Sequence, residues 1–311
     1  MIDKKAKIYV AGHSGLVGSA STRILKEKGY SNLLVSDVSD FDLRRQDQVE
    51  KFMAREKPEY LYLLAAKVGG IKANMKFPAE FIYDNLMIEA NLIHASFKSK
   101  VKKLLYLGSS CAYPRGCPQP MKEEYLLSGK LEPTNEAYAV AKIAGLKLCR
   151  FYNQQYRTNY ICVMPTNLYG KNDNFDLESG HAIPALLRKF HQAKISNEEA
   201  VTIWGEGKAR REFLYSEDLC DACIFLMDNY DAEKIVNVGS GEDISIAELV
   251  GIIREVTGFK GRVIFDSSKP EGAPKKLLDV SFVNGLGWKS KVRLKDGIKL
   301  TYEWFLAQAK Q

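Results

Sequence analysis

The chain begins with a short apolar strand, a glycine-rich turn and a helical stretch, an order that restricts the folds it can adopt. The strand covers residues 7–11, and the turn places Gly12, Gly15 and Gly18 three residues apart. Glycines at this spacing allow a tight turn, close approach of the backbone to a pyrophosphate, and tight packing of helix against strand. The helix, expected over 19–28, would offer its amino terminus to the phosphates. The pattern therefore predicts a dinucleotide-binding unit, in preference to an ordinary glycine-rich turn.

Apolar strands alternate with helices through the first half of the chain. We expect strands over 32–36, 60–66, 104–107 and 160–164, separated by helices over 46–57, 79–99 and 138–156. Uninterrupted apolar runs such as 60–66 are typical of parallel strands covered on both faces. The fold class is therefore α/β, with a Rossmann-type doubly wound parallel sheet. Ligands of such sheets bind at the carboxyl ends of the strands, where Gly12, Ala66, Ser109 and Pro165 fall.

The alternation becomes irregular from about Tyr169, with short strands such as 201–204 and glycine turns. We predict a dinucleotide-binding domain over 1–168 and a smaller C-terminal α/β substrate-binding domain over 169–311. A segment of about 211–238 is expected to return to the first domain.

Composition excludes few functions. The net charge is +7, from 45 basic and 38 acidic residues, and no lysine block indicates a nucleic-acid partner. An anionic small molecule explains this charge as well as DNA would, and so does solubility. No apolar run approaches the ~20 residues of a membrane span, and the start lacks a signal peptide, so we expect no membrane partner and a cytoplasmic location.

Six cysteines show no disulfide framework. Cys220 and Cys223 have C-x-x-C spacing within a helical stretch, but no second pair or nearby histidine would complete a zinc site. We interpret them as buried helix cysteines and expect no metal.

Tyr138 and Lys142 stand four apart and project from one face of a helix. The lysine charge should favour the phenolate and lower the pKa of Tyr138 from its reference value of about 10. Ser109, at the end of an apolar strand, would bind the same carbonyl oxygen. These residues suit the reduction of a ketone, with Tyr138 as proton donor.

Together with the glycine loop and these residues, several further stretches make the chain resemble the extended short-chain dehydrogenase/reductases that act on nucleotide sugars. Within that family it resembles most the GDP-L-fucose synthase group. The stretches are 65–71, 107–111, 165–170, 173–175, 180–181 and 275–279. The resemblance covers nearly the whole chain. It implies NADPH-dependent epimerisation at C3 and C5 and reduction at C4 of GDP-4-keto-6-deoxy-D-mannose, in a homodimer that pairs through helices near 79–99 and 138–156.

The resemblance also assigns an epimerisation pair, Cys111 and His181. Hydrogens on C3 and C5 of a 4-keto sugar are acidic, and inversion needs one group to remove a proton and another to return one. The reference pKa values of about 8.5 and 6.5 suit both side chains to this task. Which of them is the base stays open. His13, His94 and His191 are expected to have local structural roles.

The implied binding residues fall in two sets. The cofactor set is Gly12, Ser14, Gly15, Leu16, Val17, Gly18, Asp37, Leu43, Ala65, Ala66, Lys67, Tyr138, Lys142, Pro165, Asn167, Leu168 and His181. The substrate set is Asn167, Lys189, Trp204, Arg211 and Lys276, of which Lys189 and Lys276 could equally be solvent-exposed.

The cofactor preference is open at this stage. The family implies NADP(H), yet Ser14 and the stretch 36–38 supply no cation for a 2′-phosphate. Asp37 lies 19 residues after Gly18, a position where an acidic residue binds a free ribose hydroxyl and so favours NAD(H). Arg44 or Arg45 would be the alternative phosphate ligands.

Three other functions remain as alternatives. One is a C4-ketoreductase of a related GDP-4-keto sugar, such as a heptose, with little or no epimerase activity. A 4,6-dehydratase would need an acidic pair after the serine, where this chain has Cys111-Ala112-Tyr113. A non-catalytic dinucleotide sensor is disfavoured because Tyr138 and Lys142 are both present.

Overall fold

A computed structural model describes residues 1–177, 179–269 and 273–308 as alternating strands and helices. The first part contains β1 (Ile8–Ala11), α1 (Leu16–Glu27), β2 (Leu33–Leu34), α2 (Gln46–Glu56), β3 (Tyr60–Leu63), α3 (Ile71–Lys76), α4 (Pro78–Lys98), β4 (Lys103–Leu107), α5 (Glu136–Tyr156) and β5 (Tyr160–Pro165). The second part contains β6 (Asn167–Tyr169), α6 (Ala182–Ile195), β7 (Ala200–Trp204), β8 (Arg210–Tyr215), α7 (Ser216–Asn229), β9 (Val236–Val238), β10 (Asp243–Ser245), α8 (Ile246–Thr257), β11 (Arg262–Asp266), β12 (Lys275–Lys276), α9 (Ser281–Gly285) and α10 (Leu294–Gln308).

The largest sheet has six parallel strands in the order β2-β1-β3-β4-β5-β9. The chain winds outward from β1 in both directions, which is the doubly wound arrangement. The predicted fold class is therefore confirmed. β2 is shorter than the expected 32–36 and β3 ends at Leu63 rather than at Ala66. The residues after Leu63 leave the ladder and enter the loop at the carboxyl edge.

Helices cover both faces of this sheet. Val49, Leu92 and Leu146, from α2, α4 and α5, pack on one face, and Leu25 and Leu219, from α1 and α7, pack on the other. A strand buried from both sides has no reason to alternate polar and apolar residues, which is why β3, β4 and β5 appear as continuous apolar runs. Cys220 and Cys223 are buried in α7, as predicted.

The second part of the chain builds a separate core. β8 pairs with β6, β10 and β12, while β7 pairs with β11. Helices α6, α8 and α10 pack there around residues such as Leu187, Ile253 and Ile298. β9 nevertheless joins the large sheet beside β5. The predicted domain boundaries stay a prediction, and residues 178, 270–272 and 309–311 of the second domain lie outside the described residues.

Over the described parts of the chain, no helix combines the length and the apolar character needed to cross a bilayer.

Candidate active site

The glycine turn lies at the carboxyl end of β1. Gly12 has φ +89, and a Cβ there would approach the Ala65 backbone to 2.7 Å. A side chain at Gly18 would collide with the Gly12 carbonyl, whereas one at Gly15 would meet that oxygen at an ordinary 3.7 Å. Two glycines are therefore required by packing, and the third position has room for a small side chain.

Helix α1 begins at Leu16, earlier than the predicted Ser19. Leu16, Val17 and Gly18 consequently form its first turn, whose N–H groups have no acceptor within the helix. His13 lies just before this helix, in the glycine turn, with a buried Nδ1 that has no hydrogen-bond partner among the described residues. The turn thus presents unsatisfied donors to an anion.

Asp37 follows β2 on the outer side of this turn. Its Oδ1 lies 3.7 Å from His13 Nε2, and its side chain is 59% exposed. Leu43 packs against the core, and its carbonyl accepts a 3.0 Å hydrogen bond from Asn91. Arg45 is two-thirds exposed beside Asp47. An exposed carboxylate and an exposed guanidinium therefore both lie in the segment between β2 and α2.

Arg44 and Lys67 share a carboxylate. Asp84 accepts hydrogen bonds of 3.0 Å from Arg44 Nη1 and from Lys67 Nζ. Burial raises the pKa of Asp84, but these two hydrogen bonds outweigh burial and leave the pKa lowered. The Lys67 backbone is fixed by Asn85, whose amide bonds both its N–H and its carbonyl. Ala65 and Ala66 precede it in the same loop.

Ser109, Cys111 and Tyr138 meet at the carboxyl end of β4. Ser109 caps the short 3-10 helix Ser110–Ala112, where its hydroxyl accepts a 3.3 Å hydrogen bond from the Cys111 amide. Burial, then Cys111, then Glu89 raise the pKa of Tyr138, and a hydrogen bond with Ser109 lowers it. The net result is a raised pKa. The structure therefore brings the predicted phenol, hydroxyl and thiol together.

The expected direction for the pKa of Tyr138 was wrong. The prediction counted Lys142 as an uncompensated charge, and Nζ does lie 5.9 Å from the Tyr138 ring centroid. However, Nζ also lies 3.0 Å from Glu89 Oε1 and donates a 3.0 Å hydrogen bond to the Leu107 carbonyl. Glu89 compensates the ammonium, so burial dominates at the phenol.

Glu89 is a site residue that the sequence reasoning missed. Its side chain, on α4, is 1% exposed, and that of Lys142, on α5, is 3% exposed. Burial raises the pKa of Glu89, and the Lys142 charge opposes this. The signals available in the sequence were a lone acid within the apolar stretch of α4 and Gly145 in the middle of a helix. A Cβ at Gly145 would collide with Tyr106 and lie 2.8 Å from Glu89 Oε2.

His181 stands at the start of α6. It occupies the position before the first helical residue, and its side chain is 44% exposed. Its Nδ1 lies 3.6 Å from Oδ1 of Asp173, whose side chain is 3% exposed. The Asp173 Oδ2 is buried without a partner among the described residues. Asp173 lies in the motif 173–175, but the motif did not predict its contact with His181.

The loop that carries His181 rests on the carboxyl edge of the large sheet. Asn172 donates a 2.7 Å hydrogen bond to the Ser14 carbonyl in the glycine turn. Gly70, in the loop after β3, donates 3.0 Å to the Ser179 carbonyl. The loop therefore spans the ends of β1 and β3, where the predicted cofactor residues lie.

The predicted substrate residues lie on the second core. Lys189 on α6 donates 2.5 Å to the Thr202 carbonyl in β7, and burial lowers its pKa. Trp204, at the end of the same strand, is 52% exposed beneath Lys72 Nζ at 5.2 Å. Arg211 in β8 is the register partner of Lys276 in β12. Lys189 and Trp204 therefore both lie at β7, while Arg211 and Lys276 are neighbours across β8 and β12.

The link from β5 to β6 connects the two sheets. Pro165 ends β5, and the Asn167 amide donates 2.8 Å to the Glu212 carbonyl of β8. Leu168 packs against the core beneath the large sheet. Asn167 therefore lies between the cofactor side and the substrate side.

Residues 8–239 match the model of the NAD dependent epimerase/dehydratase family. The chain belongs to that family. It is 54% identical over 311 residues to "Putative GDP-L-fucose synthase 2" of Arabidopsis thaliana, with 100% of this chain and 95% of that protein aligned. It is 49% identical to a GDP-L-fucose synthase of Escherichia coli, with 97% of each chain aligned.

The chain is also similar to a solved structure over nearly its whole length. The GDP-mannoheptose C4 reductase MlghC from Campylobacter jejuni, with NADP bound, superposes with a TM-score of 0.91 at 41% identity. The alignment covers 98% of this chain and 100% of that one. The resemblance predicted from sequence motifs is thus confirmed.

Proposed function

We propose that this protein converts GDP-4-keto-6-deoxy-D-mannose to GDP-L-fucose by epimerisation at C3 and C5 and NADPH-dependent reduction at C4. The observation that carries the proposal is the meeting of Cys111 with Ser109 and Tyr138 at one strand end. A thiol suited to proton transfer at carbon thereby faces a phenol and a hydroxyl suited to a carbonyl oxygen. The similarity to GDP-L-fucose synthases over the whole chain supports the same conclusion.

The cofactor is NADP(H), and the residues present fit a dinucleotide. The first turn of α1, which begins directly after Gly15, would accept a pyrophosphate. Arg44 and Arg45 are the first cations that follow β2 in the sequence, and either would hold a 2′-phosphate. Asp37 opposes that phosphate and favours NAD(H), so we expect measurable activity with both cofactors and a preference for NADPH.

Epimerisation rests on the acidity of hydrogens next to the C4 ketone. One of Cys111 and His181 removes the proton from C3 or C5, and the other returns a proton on the opposite face. The negative charge moves onto the C4 oxygen in the enolate, where Ser109 and Tyr138 donate hydrogen bonds. Such donors contribute several kcal/mol because they are already oriented in the folded site.

Reduction uses the same oxygen. Reduced nicotinamide, when bound, supplies the hydride that C4 receives. Tyr138 donates its proton to the developing alkoxide, and Ser109 keeps the oxygen in place. Lys142 would hold the nicotinamide ribose with its ammonium group. A raised pKa keeps Tyr138 protonated over the working pH range, as an acid requires.

The substrate side is proposed to bind the nucleotide. Trp204 offers an exposed aromatic face to guanine, and Arg211 with Lys276 offers two cations to the diphosphate. Lys189 and Asn167 complete the set. Lys189 is held by the Thr202 carbonyl, so it also fixes β7 beneath Trp204.

Two incubations test the proposal. Purified protein with GDP-4-keto-6-deoxymannose in D₂O, without reduced cofactor, should incorporate deuterium at C3 and C5, as read by NMR. Addition of NADPH should then yield GDP-L-fucose. Absence of deuterium at both carbons would reject the epimerase, and absence of NADPH oxidation would reject the reductase.

A second candidate is the C4 reduction of a GDP-4-keto heptose, which the similarity to MlghC supports. The greater identity to the fucose synthases and the presence of both Cys111 and His181 favour the first candidate. Parallel assays with the two sugars decide between them. Reduction of the heptose without deuterium exchange would favour the second.

The finer parts of the proposal concern assembly and location. We propose a homodimer formed through α4 and α5, where Tyr83, Phe151 and Tyr156 are exposed apolar surface. Phe151→Arg should convert the dimer to a monomer in light scattering. We further propose a cytoplasmic enzyme that serves capsule or lipopolysaccharide biosynthesis.

A further inference from the structure

Lys142 is held from two sides inside the protein. Of the three N–H donors on its ammonium, one faces the Leu107 carbonyl and one faces the Glu89 carboxylate, each at 3.0 Å. Commitment of two donors fixes the direction of the third. We propose that Glu89 is a positioning residue for reduction, which orients Lys142 and balances its charge so that Tyr138 stays protonated until it donates. This inference rests on the proposed function.

Burial of the Glu89 carboxylate is unfavourable for the stability of the fold in two ways. A buried ion pair seldom stabilises a fold more than apolar side chains of the same volume would. Gly145 is nevertheless required in the middle of α5, because any side chain there would strike Tyr106 and crowd Glu89 Oε2. A glycine inside a helix is itself unfavourable by about 1 kcal/mol relative to alanine. Two unfavourable choices at one place indicate a role beyond stability.

The charges around Tyr138 give the sign of the effect. Glu89 from α4 raises the pKa of the phenol, and so does Cys111 from the loop after β4, while Ser109 lowers it. Other titratable groups lie around Glu89. They are Lys142 and Cys149 on α5, Tyr106 on β4 and, beside Cys149, Cys162 on β5. Removal of the Glu89 charge leaves Lys142 uncompensated next to the phenol. Tyr138 should then lose its proton at a lower pH.

Glu89→Gln tests this inference, since it keeps the shape of the side chain and removes the charge. The measurement is the pH profile of kcat/KM for the GDP-4-keto sugar at saturating NADPH. The alkaline limb should move to lower pH by about one unit, a tenfold loss at a fixed alkaline pH. Glu89→Asp retains the charge and should restore the limb. Glu50→Gln removes a carboxylate from an exposed pair with Lys98 and serves as the matched control.

An alkaline limb that stays in place in an active Glu89→Gln enzyme would overturn the inference and leave Glu89 a structural ion pair. Should that variant not fold, Tyr106→Phe removes a hydroxyl that donates a 3.2 Å hydrogen bond to the Lys142 carbonyl and, lying beside Glu89, favours the ionised form of that carboxylate. The limb should then move in the same direction by less, and an unmoved limb again overturns the inference. Inactivity of the unmodified enzyme toward the sugar would instead reject the proposed function itself.

Discussion

The two halves of the candidate site are built differently. The proposed reduction half, Tyr138 with Lys142 and Glu89, lies between α4 and α5, and the ion pair is 1–3% exposed. The proposed epimerisation half includes His181, which is 44% exposed at the start of α6. Its loop is tied to the large sheet through the hydrogen bonds of Asn172 and Gly70. The first half is formed by folding of the core, while the second depends on a loop from another part of the chain.

Because the two halves are built differently, we expect that mutations can separate the two proposed reactions. Helix–helix packing fixes the acid of reduction independently of any substrate. The proposed epimerisation pair, in contrast, consists of Cys111 on a 3-10 helix and His181 at the end of a loop from another part of the chain. Changes in the core should therefore affect reduction and stability together, and changes in the loop should affect epimerisation more than reduction.

The largest expected effect belongs to Tyr138→Phe. Loss of the proton donor should lower kcat/KM for NADPH oxidation by about 10³-fold, within the range for general acids. Deuterium exchange at C3 and C5 should fall by less, because Ser109 still donates to the enolate oxygen. Spectrophotometry and NMR on the same preparation measure the two activities. Equal losses in both would contradict the division of the site.

Lys142→Met should reduce stability as well as reduction. It leaves Glu89 as a buried charge without its partner, which costs about 3–5 kcal/mol in the free energy of unfolding. The Lys142 charge holds the pKa of Glu89 down against burial, so its removal raises that pKa further. The deficit should thus be largest above the raised pKa and shrink as the pH falls through it. Urea unfolding at several pH values measures this.

The double variant Lys142→Met with Glu89→Gln provides the control for stability. It removes both charges and should recover most of the lost free energy of unfolding, while reduction stays impaired. A double variant no more stable than Lys142→Met would show that the ion pair is not what the single change disrupts.

Cys111→Ser should impair epimerisation. A serine hydroxyl has too high a pKa to exchange protons with carbon, so deuterium exchange should fall by about 10²-fold. Any sugar that is still reduced should retain its starting configuration at C3 and C5. Cys162→Ala, a buried thiol in β5, is the control and should leave exchange intact. Full exchange in Cys111→Ser would remove Cys111 from the pair.

The features predictable from the sequence were those encoded locally. β3, β4 and β5 appear as apolar runs, and Tyr138 with Lys142 share a face because they stand four apart on one helix. Glu89 was not predictable in this way, since its contact with Lys142 arises from the packing of α4 on α5. The pKa error at Tyr138 has the same origin, because the compensating charge comes from another helix. The bounds of β2 and α1 differ from the expected ones because backbone hydrogen bonds determine where a strand or helix begins and ends, and the residue pattern does not show them.

Asp173→Asn has the smallest expected effect and gives the sharpest test of the epimerisation half. The carboxylate lies 3.6 Å from His181 Nδ1, and its burial keeps it from turning away. An imidazole is oriented by the partner of its second nitrogen, so an amide there should slow exchange by about 10-fold, or roughly 1.4 kcal/mol. NADPH oxidation and the free energy of unfolding should change little. Asp176→Asn, in the exposed part of the same loop, is the matched control. If Asp173→Asn slowed both reactions equally, Asp173 would support the whole site instead of His181, and the contrast between core and loop would fail at this residue.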